Sequence, residues 1–251
     1  TDFTTARSEQ CTFRGFWKQS RKARNKMKNT DVSAYEILRD KIINLDFKPG
    51  QELNINSLAQ KMGVSRSPIR DALLHLELDN LVEIFPQKGT RVSFLDKKII
   101  KQERFMRATL ELGVLKIFME SLKDDSKREI AATKLQAILL EQNASFLDGN
   151  KKAFLQKDNA LHHFFYSESG NEWLWNVLVS HTGNDYRVRI LSYNAEKIAV
   201  NVEKEHRQLV EAIREGDTEK VQKIDEEHLQ KISEVLEELE TSYPKYFCKE
   251  T

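Results

Sequence analysis

Four side chains in the second half of the chain have the types and spacing of a metal-binding site. Asp158 and His162 are four residues apart, so on a helix they share one face and can bind a single ion. His206 and His228 each lie on an apolar stripe of a later predicted helix, which directs both rings into the interior. A lone inward histidine is usually a hydrogen-bonded core residue. Three beside an inward carboxylate favour a bound cation, because a buried carboxylate without a partner is costly.

The donor types limit the metal but do not select it. Imidazole and carboxylate ligands suit zinc, nickel, manganese or iron, and we take zinc as the default. Such an ion could also activate water, but no general acid or base, nucleophile elbow or phosphate loop accompanies the four residues. We therefore predict that the protein is not an enzyme. A metal sensor, in which the ion itself is the signal, and a metal-dependent enzyme are the alternatives.

The elements that position these residues are predicted to be helices. From residue 95 to 241 the pattern is helical, and glycine, asparagine and aspartate mark the breaks. Short connections favour antiparallel neighbours, so we predict an all-α antiparallel bundle with Trp173 and Trp175 in its core. The six predicted helices are 97–121, 125–147, 151–168, 172–192, 197–215 and 217–240.

Residues 31–94 have a different pattern, that of a winged helix-turn-helix. A first amphipathic helix starts near Val32, and two further helices flank the corner at Gly63-Val64, the second capped by Ser65 or Ser67 with Pro68 at its first position. Two short strands then surround residues 86–89. The start of the second helix of such a motif meets base edges. The predicted DNA contacts are Ser65, Arg66, Ser67 and Arg70 on that helix, and Lys88, Gly89 and Arg91 in the wing.

Composition narrows the remaining possibilities. The net charge of +1 conceals a basic segment 1–30, whereas 31–94 has eight basic and nine acidic residues, so DNA affinity must come from local placement of charge. No apolar run approaches the roughly 20 residues that cross a bilayer, and we expect a cytoplasmic protein. The two cysteines, Cys11 and Cys248, lie in predicted end segments and indicate neither a disulfide nor a zinc site.

The segment LAQKMGVSRSPIRDALLHLELDNLV, followed by KGTRV and preceded by FKPGQEL, resembles the N-terminal domain of GntR-type bacterial transcription regulators. Asn80 stands where that family usually has glycine. Three later segments, the Asp158-to-His162 pair, EHRQLVEAIREGD and EEHLQ, resemble the metal-binding FCD domain of the FadR subfamily, and six helices resemble its VanR-like branch.

The resemblance implies a homodimer that binds double-stranded operator DNA. It also implies a divalent ion held by Asp158, His162, His206 and His228, next to a small organic acid. Arg107 is then the first candidate to pair with the acid's carboxylate, with Arg187 and Arg189 as further candidates.

We therefore expect a mainly α protein, with an N-terminal winged helix-turn-helix domain and a C-terminal all-α antiparallel bundle. The predicted boundaries are 1–30 for a basic extension of native or foreign origin, 31–94 for the DNA-binding domain, 95–241 for the effector- and metal-binding, dimerising domain, and 242–251 for a tail. The basic extension could alternatively act as a DNA-seeking arm. Effector identity and the direction of regulation lie beyond the sequence.

Overall fold

The computed structural model describes residues 33–193 and 196–248. The predicted basic extension, with Cys11, lies outside the described residues. The described part is mainly α, with a small sheet near its start, as the sequence predicts. In chain order, the N-terminal elements are α1 (Ala34–Ile43), β1 (Glu52–Leu53), α2 (Ile55–Met62), α3 (Arg66–Leu78), β2 (Val82–Phe85) and β3 (Gly89–Val92).

Local signals set the limits of the first three helices. Ser33 and Glu36 form a capping box at the start of α1, and the side chain of Asn54 caps α2. Gly63, with φ 66°, ends α2 in the left-handed conformation that glycine adopts at little cost. Helix α3 begins at Arg66, directly after Ser65. Pro68 is therefore the third helical residue, whereas the sequence predicted it as the first.

The wing is a hairpin in a three-stranded antiparallel sheet of order β1-β3-β2. Strands β2 and β3 are paired from Val82 opposite Val92 to Phe85 opposite Gly89. The two-residue strand β1 pairs with the other edge of β3. The sequence predicted the hairpin but not β1, which is too short to carry a periodic signal. Asn80 has φ 57° in the turn after α3, so asparagine accepts the left-handed conformation that glycine would otherwise supply.

The C-terminal domain consists, within the described residues, of seven helices where six were predicted. The predicted helix 172–192 is interrupted at Thr182, whose φ of −117° and ψ of 36° are not helical and whose hydroxyl donates to the carbonyl of Leu178. The predicted count of six helices is therefore one too few for the described residues. The helices are α4 (Lys97–Ser121), α5 (Asp125–Leu147), α6 (Lys151–Glu168), α7 (Glu172–His181), α8 (Gly183–Ser192), α9 (Glu196–Glu215) and α10 (Thr218–Ser242).

Each domain has its own apolar core. Leu38, Ile69 and Leu76 are fully buried in the winged domain, and Phe118 and Phe165 are fully buried in the bundle. Trp173, predicted to be a core residue, is 59% exposed, because it lies on the outer face of the short helix α7. None of the described helices is long and apolar enough to cross a membrane.

The predicted tail packs against the segment that joins the two domains. Phe247 forms a parallel bridge with Leu95, where the N–H of Leu95 donates to the carbonyl of Tyr246 at 2.8 Å and the N–H of Cys248 to the carbonyl of Leu95 at 3.0 Å. The side chain of Phe247 is 4% exposed and packs with Leu236 and Leu239 of α10. The end of α10 is thus tied to the interdomain segment.

We expect Phe247→Ala to lower the free energy of unfolding of the bundle by about 3 kcal/mol, because it leaves a cavity beneath the interdomain segment. Urea denaturation followed by circular dichroism measures the change. Leu147→Ala is the matched control: Leu147 is 76% exposed, so the same technique should detect little change. Equal effects of the two substitutions would contradict a structural role for Phe247.

Candidate metal centre and adjoining pocket

The structure brings the four predicted metal ligands together in the middle of the bundle. Asp158 and His162 come from α6, His206 from α9 and His228 from α10. One ligand atom from each lies within 4.8 Å of those from all the others. The Nε2 atoms of His162 and His206 are each 3.7 Å from an oxygen of Asp158. This arrangement leaves one point that all four side chains can reach.

The second nitrogen of every histidine has its own partner. The Nδ1 of His162 is hydrogen bonded to Glu111, that of His206 to the Oε1 of Gln142 at 2.9 Å, and that of His228 to Glu205 at 2.9 Å. Carboxylates and carbonyl groups in this position fix the orientation of the ring and direct its other nitrogen to a metal. The sequence did not predict that Glu111, Gln142 and Glu205 orient these rings. Each of the three is far along the chain from the histidine that it contacts.

The inner nitrogens of His162 and His206 have no such partner. The Nε2 atoms of His162 and His206 are buried and make no hydrogen bond to any described residue. Leaving a polar atom in this state costs about 1 to 3 kcal/mol, and a divalent cation would remove that cost. Three imidazoles and one carboxylate also match the donor preference of zinc and its neighbours. The residues therefore fit a divalent ion.

Burial and charge set the protonation states that metal binding needs. Burial lowers the pKa of His162 and brings that of His206 well below its usual value, so both rings are neutral near pH 7. Burial acts to raise the pKa of Asp158, but the charge of the paired Arg189 guanidinium outweighs burial and lowers it, so the carboxyl group is ionised. Neutral imidazole and ionised carboxylate are the ligand forms.

Glu111 and His162 also form a smaller group with Asp225, and all three side chains are completely buried. Neither carboxylate oxygen of Asp225 has a hydrogen-bond partner among the described residues. Burial, with the neighbouring charge of Glu111, raises the pKa of Asp225 well above its usual value. Burial therefore favours the neutral form of this carboxyl group, which is a poor metal ligand.

A cavity of about 250 Å³ opens beside the four ligands and is lined by both Asp158 and His228. Of the three arginines predicted to bind an effector, Arg107 and Arg189 line it. Arg189 pairs with Asp158, and the Nε of Arg107 lies 3.3 Å from Glu111. Arg187 lies elsewhere, because its position on α8 points it towards the winged domain. The cationic side chains around the cavity are Arg104, Arg107, Arg189 and Lys231, of which the first and last were not predicted.

The predicted DNA contacts lie on two exposed features of the winged domain. Arg66 and Arg70 are exposed at the start of α3, together with the two serines around Arg66, and Lys88 and Gly89 are exposed at the tip of the wing. Arg91 differs, because its guanidinium pairs with Glu83 at 2.6 Å and lies over the ring of Phe85. Arg91 thus already has partners within the wing.

Two family models match this chain: "Bacterial regulatory proteins, gntR family" over residues 30–92 and "FCD domain" over residues 104–231. The second alone covers half of the chain. The protein belongs to the GntR family and has the architecture of its FadR/VanR-type subfamily, a GntR helix-turn-helix domain followed by an FCD domain.

Curated relatives and solved structures agree with this assignment. The chain is 29% identical to an HTH-type transcriptional regulator in an unstable DNA locus of Streptomyces ambofaciens, over 85% of this chain and 88% of the relative. It is 22% identical to the transcriptional repressor RspR of Escherichia coli, over 86% and 92%. Among solved structures, E. coli McbR/YncC has a TM-score of 0.68 at 20% identity, covering 84% of this chain and 96% of that one. This last likeness shows the fold.

We expect His206→Ala to abolish stoichiometric zinc binding and to lower the melting temperature, because it removes one ligand and loosens α9 from α6. Gln142→Leu should weaken zinc binding roughly 10- to 100-fold, since it removes the group that orients His206. Plasma emission spectrometry and competition with a chromophoric chelator measure the two effects. His163→Ala is the matched control, because His163 pairs at the surface with Glu172 and lies outside the cluster. Unchanged zinc content in His206→Ala would contradict the site.

Proposed function

We propose that this GntR-family transcription regulator changes its affinity for operator DNA when a small organic acid binds beside a divalent metal ion in its FCD domain. One observation carries the proposal: two buried imidazole nitrogens without partners, those of His162 and His206, lie 3.7 Å from Asp158, which lines a cavity together with cationic side chains. A metal site and an anion site are thereby joined in one pocket.

Asp158, His162, His206 and His228 would hold the ion, with zinc as our first choice. A divalent ion would supply positive charge, and one with octahedral geometry would keep open positions for an effector carboxylate beyond its four protein ligands. Arg107 and the other cationic side chains of the cavity wall would pair with the same ligand. A guanidinium group suits this role because it binds a carboxylate with two parallel hydrogen bonds.

The volume of the cavity limits the size of the acid. About 250 Å³ accommodates a small carboxylic acid and excludes a long acyl chain. The ligand must also compete with the carboxylates that already neutralise the arginines, which favours an effector with more than one carboxylate. We propose a dicarboxylic or tricarboxylic acid.

DNA binding would place α3 in the major groove, with the wing hairpin along the adjacent backbone. Because the winged segment has little net charge, two copies in a homodimer would increase the number of phosphate contacts and read a two-fold symmetric site. Cytoplasmic location follows from access to DNA and belongs to the same proposal.

The effector experiment uses a DNA duplex that the full-length protein itself selects from a random pool. Zinc-loaded protein is titrated onto this duplex with and without acids of one, two and three carboxylates. We expect an acid with more than one carboxylate to change the dissociation constant of the protein–DNA complex by about 5- to 150-fold, which is the usual range of allosteric coupling. A response to zinc alone, with no response to any acid, would favour the metal-sensor alternative.

We expect Arg66→Ala and Arg70→Ala to weaken binding to the selected duplex more than binding to random DNA. A bidentate arginine–guanine contact contributes about 1 to 3 kcal/mol of discrimination, whereas a phosphate contact is independent of sequence. Fluorescence anisotropy against both duplexes measures the ratio. Lys61→Ala, an exposed position at the end of α2, serves as control. Equal losses on both duplexes would show that the two arginines contact phosphate alone.

A further inference from the structure

Arg187 is buried at the contact between the two domains. Its Nη2 donates to the carbonyl oxygen of Ser93 at 2.6 Å, and its Nη1 donates to Oδ1 of Asn184 at 2.8 Å. The side chain is fully buried, although it carries a charge. Ser93 directly follows β3, so Arg187 binds the bundle to the base of the wing.

Next to Arg187, the start of α8 packs closely against the base of the wing hairpin. The N–H of Ser93 donates to the carbonyl of Leu81 at 3.0 Å, which joins the two ends of the wing hairpin. Gly183, the first residue of α8, packs against the side chain of Leu81. A Cβ atom added to Gly183 would lie 2.9 Å from Cδ2 of Leu81, which is too close for an ordinary contact. The first turn of α8 is therefore packed directly against the wing.

The opposite side of this turn contacts the effector cavity. Asp185 pairs with Arg104 and lies 3.5 Å from the Nη1 of Arg107, and both arginines line the cavity. Glu103 accepts hydrogen bonds from the side chain of Asn184 and from the N–H of Asp185, both at 2.8 Å. The turn that binds the wing is thus held by the arginines that face the proposed ligand.

We propose that the first turn of α8 couples the cavity to the wing, with Arg187 as its positioning residue. This proposal rests on the proposed function of the cavity as an effector site. A carboxylate bound by Arg104 and Arg107 competes with Asp185 for the same guanidinium groups. Release of Asp185 changes the position of the turn, and Arg187 and Gly183 transfer that change to the Ser93–Leu81 pair. Both sites then act on one element, which is the physical requirement for coupling between them.

A double-mutant cycle tests the coupling turn without any effector. Asp185→Asn weakens the hold of the arginines, and Arg187→Met removes the bond to the wing. We expect each single substitution to change affinity for the selected duplex several-fold, and the double variant to differ little from the larger single change, because both act through one turn. Additive changes, or single variants with unaltered affinity, would overturn the proposal.

Two controls separate coupling from general damage. Arg187→Met combined with Arg214→Met should give additive changes, since Arg214 pairs with Glu129 on a different face of the bundle. Gly183→Ala should alter affinity for the duplex through its clash with Leu81, whereas Gly113→Ala, which has open space around it, should not. Zinc content and melting temperature are measured for every variant. If Arg187→Met does not fold, Gly183→Ala, which alters the same contact with the wing, replaces it in the cycle.

Citrate serves as the acid probe for the second arm. Arg187→Met should retain its zinc content, and its affinity for citrate, measured by calorimetry, should be unchanged. In the unmodified protein citrate should change DNA affinity within the usual allosteric range, whereas in Arg187→Met the change should be less than about twofold. Arg187→Lys should restore part of the response, because an ammonium group can still reach the carbonyl of Ser93. A full citrate response in Arg187→Met would overturn the coupling role. Citrate without effect on the unmodified protein would count against the proposed effector, and the double-mutant cycle would then decide on the turn.

Discussion

The ionised carboxylate of Asp158 is the constraint on which the C-terminal domain depends. It is 4% exposed inside an apolar bundle, where an unpaired charge would shift its pKa and lose the charge. Arg189 pairs with it directly, and His162 and His206 direct their inner nitrogens to it. The bundle therefore needs positive charge at this point, and the proposed divalent ion would add to what Arg189 supplies.

The same requirement extends from the metal centre to the winged domain. Two buried acids in this path are matched by buried arginines: Glu111 by Arg107, and Asp185 by Arg104 and Arg107. Removing one member of such a pair leaves the other charged and unpaired, which is strongly destabilising. A ligand that takes an arginine from its carboxylate therefore perturbs the next pair. Ion pairs connect the cavity to the first turn of α8, and a hydrogen bond and an apolar contact connect that turn to the wing.

The sequence was sufficient for features that depend on local patterns. Helical spacing identified Asp158 with His162, and turn residues identified the wing and most helix limits. It was insufficient for features that depend on side chains far apart in the chain. Gln142 and Glu205 look like ordinary helical polar residues until the fold brings them to His206 and His228. Arg187 has the same local pattern as Arg189, two positions away, and the 100° turn per residue of the helix sends them to different sites.

The pKa shifts of three buried groups change the stability of the fold with pH, and they do so with opposite signs. For His206, the folded pKa lies below the unfolded value, so its contribution is lost as pH falls through the unfolded value near 6.5. Asp158, with a lowered pKa, adds a loss at more acidic pH. Glu103 behaves oppositely: burial raises its pKa to about 7, and its contribution is lost as pH rises through that value. Because Glu103 holds the first turn of α8, a rise in pH towards about 7 acts on the interdomain contact, and a fall in pH below about 6.5 acts on the candidate metal ligands.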